Sequence, residues 1–136
     1  MSLEYIAGFF DGEGSIGIYP NGRGAFHLRI QLVQNSKAQE VKDLFSELNN
    51  KFGGAVNEHT SSNGNKFYNW QLSSARASSF LKCIIPYLRI KREQALVATE
   101  WQDSRPAPTR NANGQYQANR HPNDAIVAGR LKQMKR

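Results

Sequence analysis

Ile6-Ala7-Gly8-Phe9-Phe10-Asp11-Gly12-Glu13-Gly14 decides how this 136-residue chain is read. Ile6, Phe9 and Phe10 recur at helical spacing, so one face of the segment is apolar. Gly8 and Gly12 stand four residues apart on another face. Glycine inside a helix is roughly 1 kcal/mol worse than alanine, so two of them in a short helix need a reason. Close approach of a second helix supplies one. The helix is expected to stop at Gly12–Gly14, which puts Glu13 at its C-terminal end. The macrodipole is negative there, and a carboxylate so placed calls for a cation. A second copy packed across the glycines would bring two such carboxylates together.

Outward from this helix the pattern changes period. Ser15–Tyr19 alternates Ile16 and Ile18 with Ser15, Gly17 and Tyr19, as a half-buried strand does. Pro20–Gly24 is a turn. Phe26, Leu28, Ile30 and Leu32 then alternate with His27, Arg29 and Gln31, completing an antiparallel hairpin. Ser36 and Gln39 read as a capping box opening a second helix, with Val41, Leu44, Phe45, Leu48 and Phe52 as its apolar stripe and Gly53–Gly54 as its end. Strands follow at 55–60 and 67–73. A helix over 75–88 carries Phe80, Leu81, Ile84, Ile85 and Leu88 inward, with Pro86 disturbing its last turn. Arg89-Ile-Lys-Arg92 links it to a further helix over 93–101. Residues 103–123 read as loop. Residues 124–134 read as a last helix, capped by Asn123 or Asp124, with Ile126, Val127 and Leu131 on one side.

The order α-β-β-α-β-β-α describes an α+β fold with helices on one face of a four-stranded antiparallel sheet. We divide the chain into a core domain, 1–102, and a basic C-terminal extension, 103–136. The other sheet face carries Ser15, Tyr19, His27, Arg29, Gln31, Asn57, His59, Asn69 and Gln71. These groups both donate and accept hydrogen bonds, as reading base edges requires, whereas lysines alone would neutralise phosphate. On the residues alone an ordinary solvated face is the simpler account.

Composition bounds the function. The net charge of +7 and pI near 9.8 point to a polyanionic partner. From Trp101 onward seven Lys/Arg stand against Asp103 and Asp124, so the tail holds most of the excess, Arg130 and Lys132 included. No apolar run approaches the ~20 residues of a membrane span, and no secretory signal or targeting segment is seen, so an intracellular location is expected. A single cysteine, Cys83, excludes an intrachain disulfide; its neighbours Leu81, Ile84 and Ile85 predict a buried thiol.

Gly12-Glu-Gly-Ser-Ile-Gly17 fits G-x-G-x-x-G literally, but a dinucleotide site needs a strand before and a helix after, and the order here is reversed. No organic cofactor is expected. His27, His59 and His121 lack zinc-ligand spacing. The acidic pair Asp11 and Glu13 remains. Ligation by a carboxylate, backbone carbonyls, water and substrate phosphate is the manner of Mg²⁺. Lys91, at the start of a helix, is a second candidate, although spacing alone reads it as a solvated lysine.

Ile6–Gly14 followed by Ser-Ile resembles the signature of the LAGLIDADG homing endonucleases. Pro86-Tyr-Leu-Arg-Ile-Lys-Arg-Glu-Gln94 resembles the family segment that carries a catalytic lysine, and the element order is the family's. The resemblance covers about three quarters of the chain. It implies a four-stranded saddle sheet seated in the major groove of double-stranded DNA. With one motif copy, it implies a homodimer whose motif helices cross at Ala7, Gly8, Asp11 and Gly12 and which cuts a long near-palindromic site. Glu13 would hold Mg²⁺ beside the Gly12 carbonyl, with Asp11 structural. Mn²⁺ is expected to substitute, and Ca²⁺ to support binding without cleavage. Lys91 would act at the scissile phosphate. Ser36, with Gln34 as a neighbour, is the nearest equivalent of the family's water-positioning residue, although Ser36 and Glu40 stand where some relatives have glutamine and a nearby arginine. The product would be a double-strand break with short 3′ overhangs, in the service of intron or intein mobility. The alternatives are a non-cleaving maturase or DNA-binding regulator on the same scaffold, and a generic basic RNA-binding domain.

Overall fold

The computed structural model describes the chain except residues 23, 36–37, 106–111, 115–122 and 136. The first helix, α1 (Leu3–Glu13), starts at Ser2, whose hydroxyl accepts from the Tyr5 N–H at 3.1 Å. It runs into β1 (Gly14–Pro20) with no residue between. A Cβ at Gly14 would lie 2.5 Å from the Phe10 ring, so the junction is tight enough to exclude a side chain there.

The remaining elements are β2 (Phe26–Asn35), α2 (Gln39–Phe52), β3 (Ala55–Thr60), β4 (Lys66–Ser73), α3 (Ser74–Ile84), a 3-10 turn (Ile85–Tyr87), α4 (Arg92–Asp103) and α5 (Asp124–Met134). The strands form one antiparallel sheet in the order β1-β2-β4-β3. This is the α+β fold expected from the alternation of apolar periods. The inward face carries Ile16, Ile18, Leu28, Ile30, Leu32, Tyr68, Trp70 and Leu72, all buried. Ile6 and Phe10 of α1, Phe45 and Leu48 of α2, and Phe80, Leu81 and Ile84 of α3 meet it. Phe80 packs edge-on against Trp70, Phe52 and Phe10 at centroid distances of 5.1, 4.9 and 5.6 Å. Fully burying each such side chain stabilises by about 1.5–3 kcal/mol. The Trp70 indole N–H donates to the Gly53 carbonyl at 2.9 Å.

Four local expectations are corrected. Cys83 is exposed, because it lies about 200° round the helix from Leu81. Ile126 is 69% exposed, while Leu131 holds α5 to the core. The helix over 75–88 ends as an α-helix at Ile84, and Pro86 sits in the 3-10 turn. Helix α2 is capped by Ala38 without a side-chain bond; Gln39 instead donates along the helix to Asp43 at 2.9 Å. Ser36 and the tail residues Arg110, Arg120, His121 and Arg136 lie outside the described residues.

Helix α5 packs against β1 and α4. Buried Asp124 ties it down, accepting from the Trp101 indole at 3.0 Å and the Arg105 guanidinium at 2.7 Å. Arg105 also stacks on Trp101, 4.3 Å from the ring centroid. The basic extension is thus joined to the core through Trp101, with the Arg105–Asp124 ion pair closing the extension on itself. None of the described helices is long and apolar enough to cross a membrane.

Candidate active site and nucleic-acid interface

The two carboxylates of the motif part company. Asp11 is only 8% exposed. Its Oδ2 accepts from the Arg89 N–H at 2.8 Å, and its Oδ1 from the N–H groups of Ile90 and Lys91 at 3.2 and 3.0 Å. One carboxylate thereby satisfies three consecutive backbone donors, including those ahead of α4 that have no partner within a helix. The Lys91 ammonium returns the contact, donating to the Asp11 carbonyl at 2.5 Å. That carbonyl belongs to the last turn of α1, where backbone oxygens lack helical partners and the dipole favours a cation. Lys91 is half-buried as a result. Its place is fixed at the helix end that bears Glu13, although nearly eighty residues of chain separate the two.

Glu13 and Gly12 are exposed. With Asp11 occupied, Glu13 is the carboxylate of the motif that can take an external ligand, with backbone oxygens of the helix end beside it. Such an all-oxygen donor set suits Mg²⁺ or Ca²⁺. It does not close a site within one chain: among the described residues no three His, Cys, Asp or Glu side chains could together hold a metal. Of the four residues expected at a helix crossing, Ala7 and Asp11 are buried in the chain's own interior, whereas Gly8 and Gly12 are exposed. A Cβ at either glycine would meet nothing within 4 Å, so the fold of one chain gives no reason for glycine at these positions.

Strand register collects the expected reading residues on one face. Ser15 pairs with Gln31 and Gln31 with Gln71; Tyr19 pairs with His27; Asn57 pairs with Asn69. His59 shares this face through its pairing with Phe67. The Gln71 amide donates to the Gln31 amide oxygen at 3.4 Å. His27 Nδ1 and Asn69 Oδ1 are shielded from solvent and take no partner. The Arg29 guanidinium lies 4.3 Å from the Tyr19 ring centroid, and the Lys135 ammonium reaches Ser15 Oγ at 3.3 Å. Burial raises the Tyr19 pKa, but Lys135 and then Arg29 outweigh it, leaving the phenol below its ordinary value. Arg130 and Lys132 are exposed on α5.

Three residues on or beside this face escaped the sequence reading. Val33 pairs with Asn69 and Phe67 with Asn35, placing two apolar side chains among the polar ones; the same period-two alternation that found Arg29 and Asn69 identifies them. An apolar group there can contact a thymine methyl. Lys135 has no comparable signal, since its position depends on how α5 packs.

Residues 6–92 match the family described as LAGLIDADG endonuclease. The chain belongs to the LAGLIDADG endonuclease family. Among solved structures, it is similar to homing endonuclease I-CvuI in complex with its target in the presence of Ca (14% identity, TM-score 0.65, covering 97% of this chain and 80% of that one). It is similar also to the archaeal intron-encoded homing endonuclease I-Vdi141I complexed with DNA (17%, 0.63, 97% and 82%). I-SmaMI, bound to an uncleaved DNA target with calcium, matches over 76% of this chain and 37% of its own, at 21% identity and TM-score 0.52. At these identities the structural likeness speaks to the fold. No curated protein matches. The family match spans both segments brought together above, the LAGLIDADG helix and the link that carries Lys91.

Proposed function

We propose that this chain is a homodimeric, site-specific DNA endonuclease that hydrolyses phosphodiesters with a divalent ion, Mg²⁺ by preference. The observation that carries the reading is the Asp11 clamp. It fixes Lys91 at the end of α1 that presents Glu13, bringing the acid and the base of the candidate site to one place.

In this reading α1 crosses its symmetry mate at Gly8 and Gly12, and each chain contributes one Glu13. The two carboxylates and the neighbouring carbonyls would hold the metal, which when bound activates water and offsets charge on the scissile phosphate. Lys91 keeps a fixed positive charge where the phosphate gains negative charge, a stabilisation worth most when it requires no rearrangement. Water adds to phosphorus as the bond to the 3′-oxygen breaks. The sheet face, through the partly exposed side chains of Arg29, Gln31 and Gln71, reads base edges in the major groove. Two copies related by a two-fold axis read a near-palindrome. Arg130 and Lys132 hold flanking phosphates.

Selection of cleaved ends from a randomised palindromic duplex library with Mg²⁺ tests the reading. The expected result is one enriched near-palindrome cut in both strands. Glu13→Gln should then bind that site in Ca²⁺ and leave it intact in Mg²⁺. Tight binding of a site with no cleavage by the natural chain would replace the endonuclease with a DNA-binding regulator. Robust cutting by Glu13→Gln would remove Glu13 from the metal site.

A further inference from the structure

Gly17 stands between Ser15 and Tyr19 on the outer face of β1, yet it is buried. Its backbone is not left-handed, so conformation alone would admit any residue there. What excludes a side chain is Tyr19: a Cβ at Gly17 would run into the phenol ring and its hydroxyl. The Tyr19 ring therefore lies down along the strand instead of standing off the sheet. Its hydroxyl reaches back to Ser15 and meets the Arg29 guanidinium. Arg29 is the register partner of Gly17, and its guanidinium lies over the Tyr19 ring, 4.3 Å from the centroid. Its register partner on the other side is the small Ser73. Among the described residues no carboxylate pairs with Arg29.

We propose that Gly17 and Tyr19 are positioning residues that hold Arg29 edge-on to a guanine of the DNA target. This rests on the endonuclease reading given above and deepens it, assigning one base of the site and the neighbours that enforce it. Three arguments converge. Stacking occupies the flat face of a guanidinium and leaves its edge donors free. Two parallel donors on that edge match O6 and N7 of guanine, a pattern that no other base presents in the major groove. Arg29 lies on β2, an inner strand of the order β1-β2-β4-β3, so it faces the middle of a groove rather than the phosphates at its rim. A free arginine also loses rotamer freedom when it binds, and a side chain already held in place loses less. The missing side chain at Gly17 is what lets the ring lie flat enough to hold it.

Fluorescence anisotropy of the full chain in Ca²⁺ tests this, on the duplex recovered from the randomised library and on its single-letter variants. One guanine per half-site should be preferred by about tenfold or more over the other bases, and Arg29→Ala should erase that preference alone. Tyr19→Ala and Gly17→Ala should each lower it by about two- to fivefold, the share of a partly exposed cation–ring contact, with the other letters unchanged. Tyr19→Phe should keep most of it, because the ring remains. Gly17→Ala should melt close to the natural chain, because only the Tyr19 side chain must move. Without DNA, ultraviolet titration should show a phenol ionising below the usual range that is lost in Tyr19→Phe and moves upward in Arg29→Ala. If no guanine depends on Arg29, or if Tyr19→Ala and Gly17→Ala keep the full preference, the support is refuted and the endonuclease reading survives. A natural chain that selects no sequence overturns both.

Discussion

Replacing Asp11 by Asn changes one atom of a side chain that accepts three backbone hydrogen bonds. The remaining carbonyl oxygen can keep the bonds from Ile90 and Lys91 or the one from Arg89, but the amide NH₂ then confronts a backbone donor. A hydrogen bond to a charged group contributes about 1.5–3 kcal/mol, and a buried donor left without an acceptor costs about 1–3 kcal/mol. With Asp11 only 8% exposed, solvent cannot make up the loss. The expected destabilisation is about 3 kcal/mol, a large fraction of the roughly 5–15 kcal/mol that stabilises a domain. Urea titration should show the midpoint falling with an unchanged slope. Amide hydrogen exchange gives the more specific readout: Arg89, Ile90 and Lys91 should lose protection together while the sheet keeps its own until global unfolding. DNA cleavage should fall further than DNA binding, because Lys91 loses its fixed place. A loss under about 0.5 kcal/mol with those three amides still protected would refute the clamp.

Gly8→Leu should leave the single chain folded, because Gly8 is exposed and a Cβ there meets nothing within 4 Å, but abolish the proposed dimer in light scattering; a fully active dimeric variant would exclude this face as the interface. Arg29→Ala should relax base preference in a site-selection assay, whereas Lys132→Ala should weaken binding to all sequences alike and reduce the salt slope by about 0.9; the reverse pattern would refute the division of labour. Asp103 accepts from Lys82 at 2.6 Å, and chiefly that bond holds its carboxyl below the usual range, with Ser78 also contributing. A depressed folded pKa adds stability that is present above the unfolded pKa of about 3.9 and is lost as pH falls through the folded value. Asp103→Asn should therefore cost less than about 1 kcal/mol at neutral pH, as exposed ion pairs do, and the difference from the natural chain in denaturant titrations should vanish in strong acid. A gap that persisted there would assign the effect to packing.

The part of the fold that is legible in the sequence is whatever periodicity encodes. Phe26–Leu32 alternates so cleanly that strand, face and inward set all follow. Ile6, Phe9 and Phe10 mark α1 as a helix, and Gly8 and Gly12 leave one of its surfaces unexplained. Readings fail where a residue's role depends on distant chain. The family resemblance marks Asp11 as structural, but on the residues alone it is one of two similar acids, and nothing local announces its contact with Arg89–Lys91. Cys83 has apolar neighbours in sequence, but rotation about α3 turns it away from them. Tail residue Lys135 meets Ser15 only because Asp124, Trp101 and Arg105 fasten α5 in place. The start of α2 misleads for another reason: Ser36 and Gln39 have the composition of a capping box, while the helix begins beyond Ser36 with Ala38 as its cap.

The absence of any residue between α1 and β1 acts as a ruler. Glu13 ends the helix and Gly14 begins the strand, so the distance from hydrolysis to recognition is set by covalent geometry rather than by a loop. From Ser15 to Tyr19 the strand advances about 13 Å, close to four base-pair steps at about 3.4 Å each. On the proposed function, substitutions at the reading positions can re-letter the target, but the offset between the cut and each letter stays constant. A one-residue insertion after Gly14 would do more than shift the frame, since it would turn every reading side chain of β1 to the opposite face. Relatives of this chain should therefore diverge in the sequence they recognise and keep the spacing at which they cut.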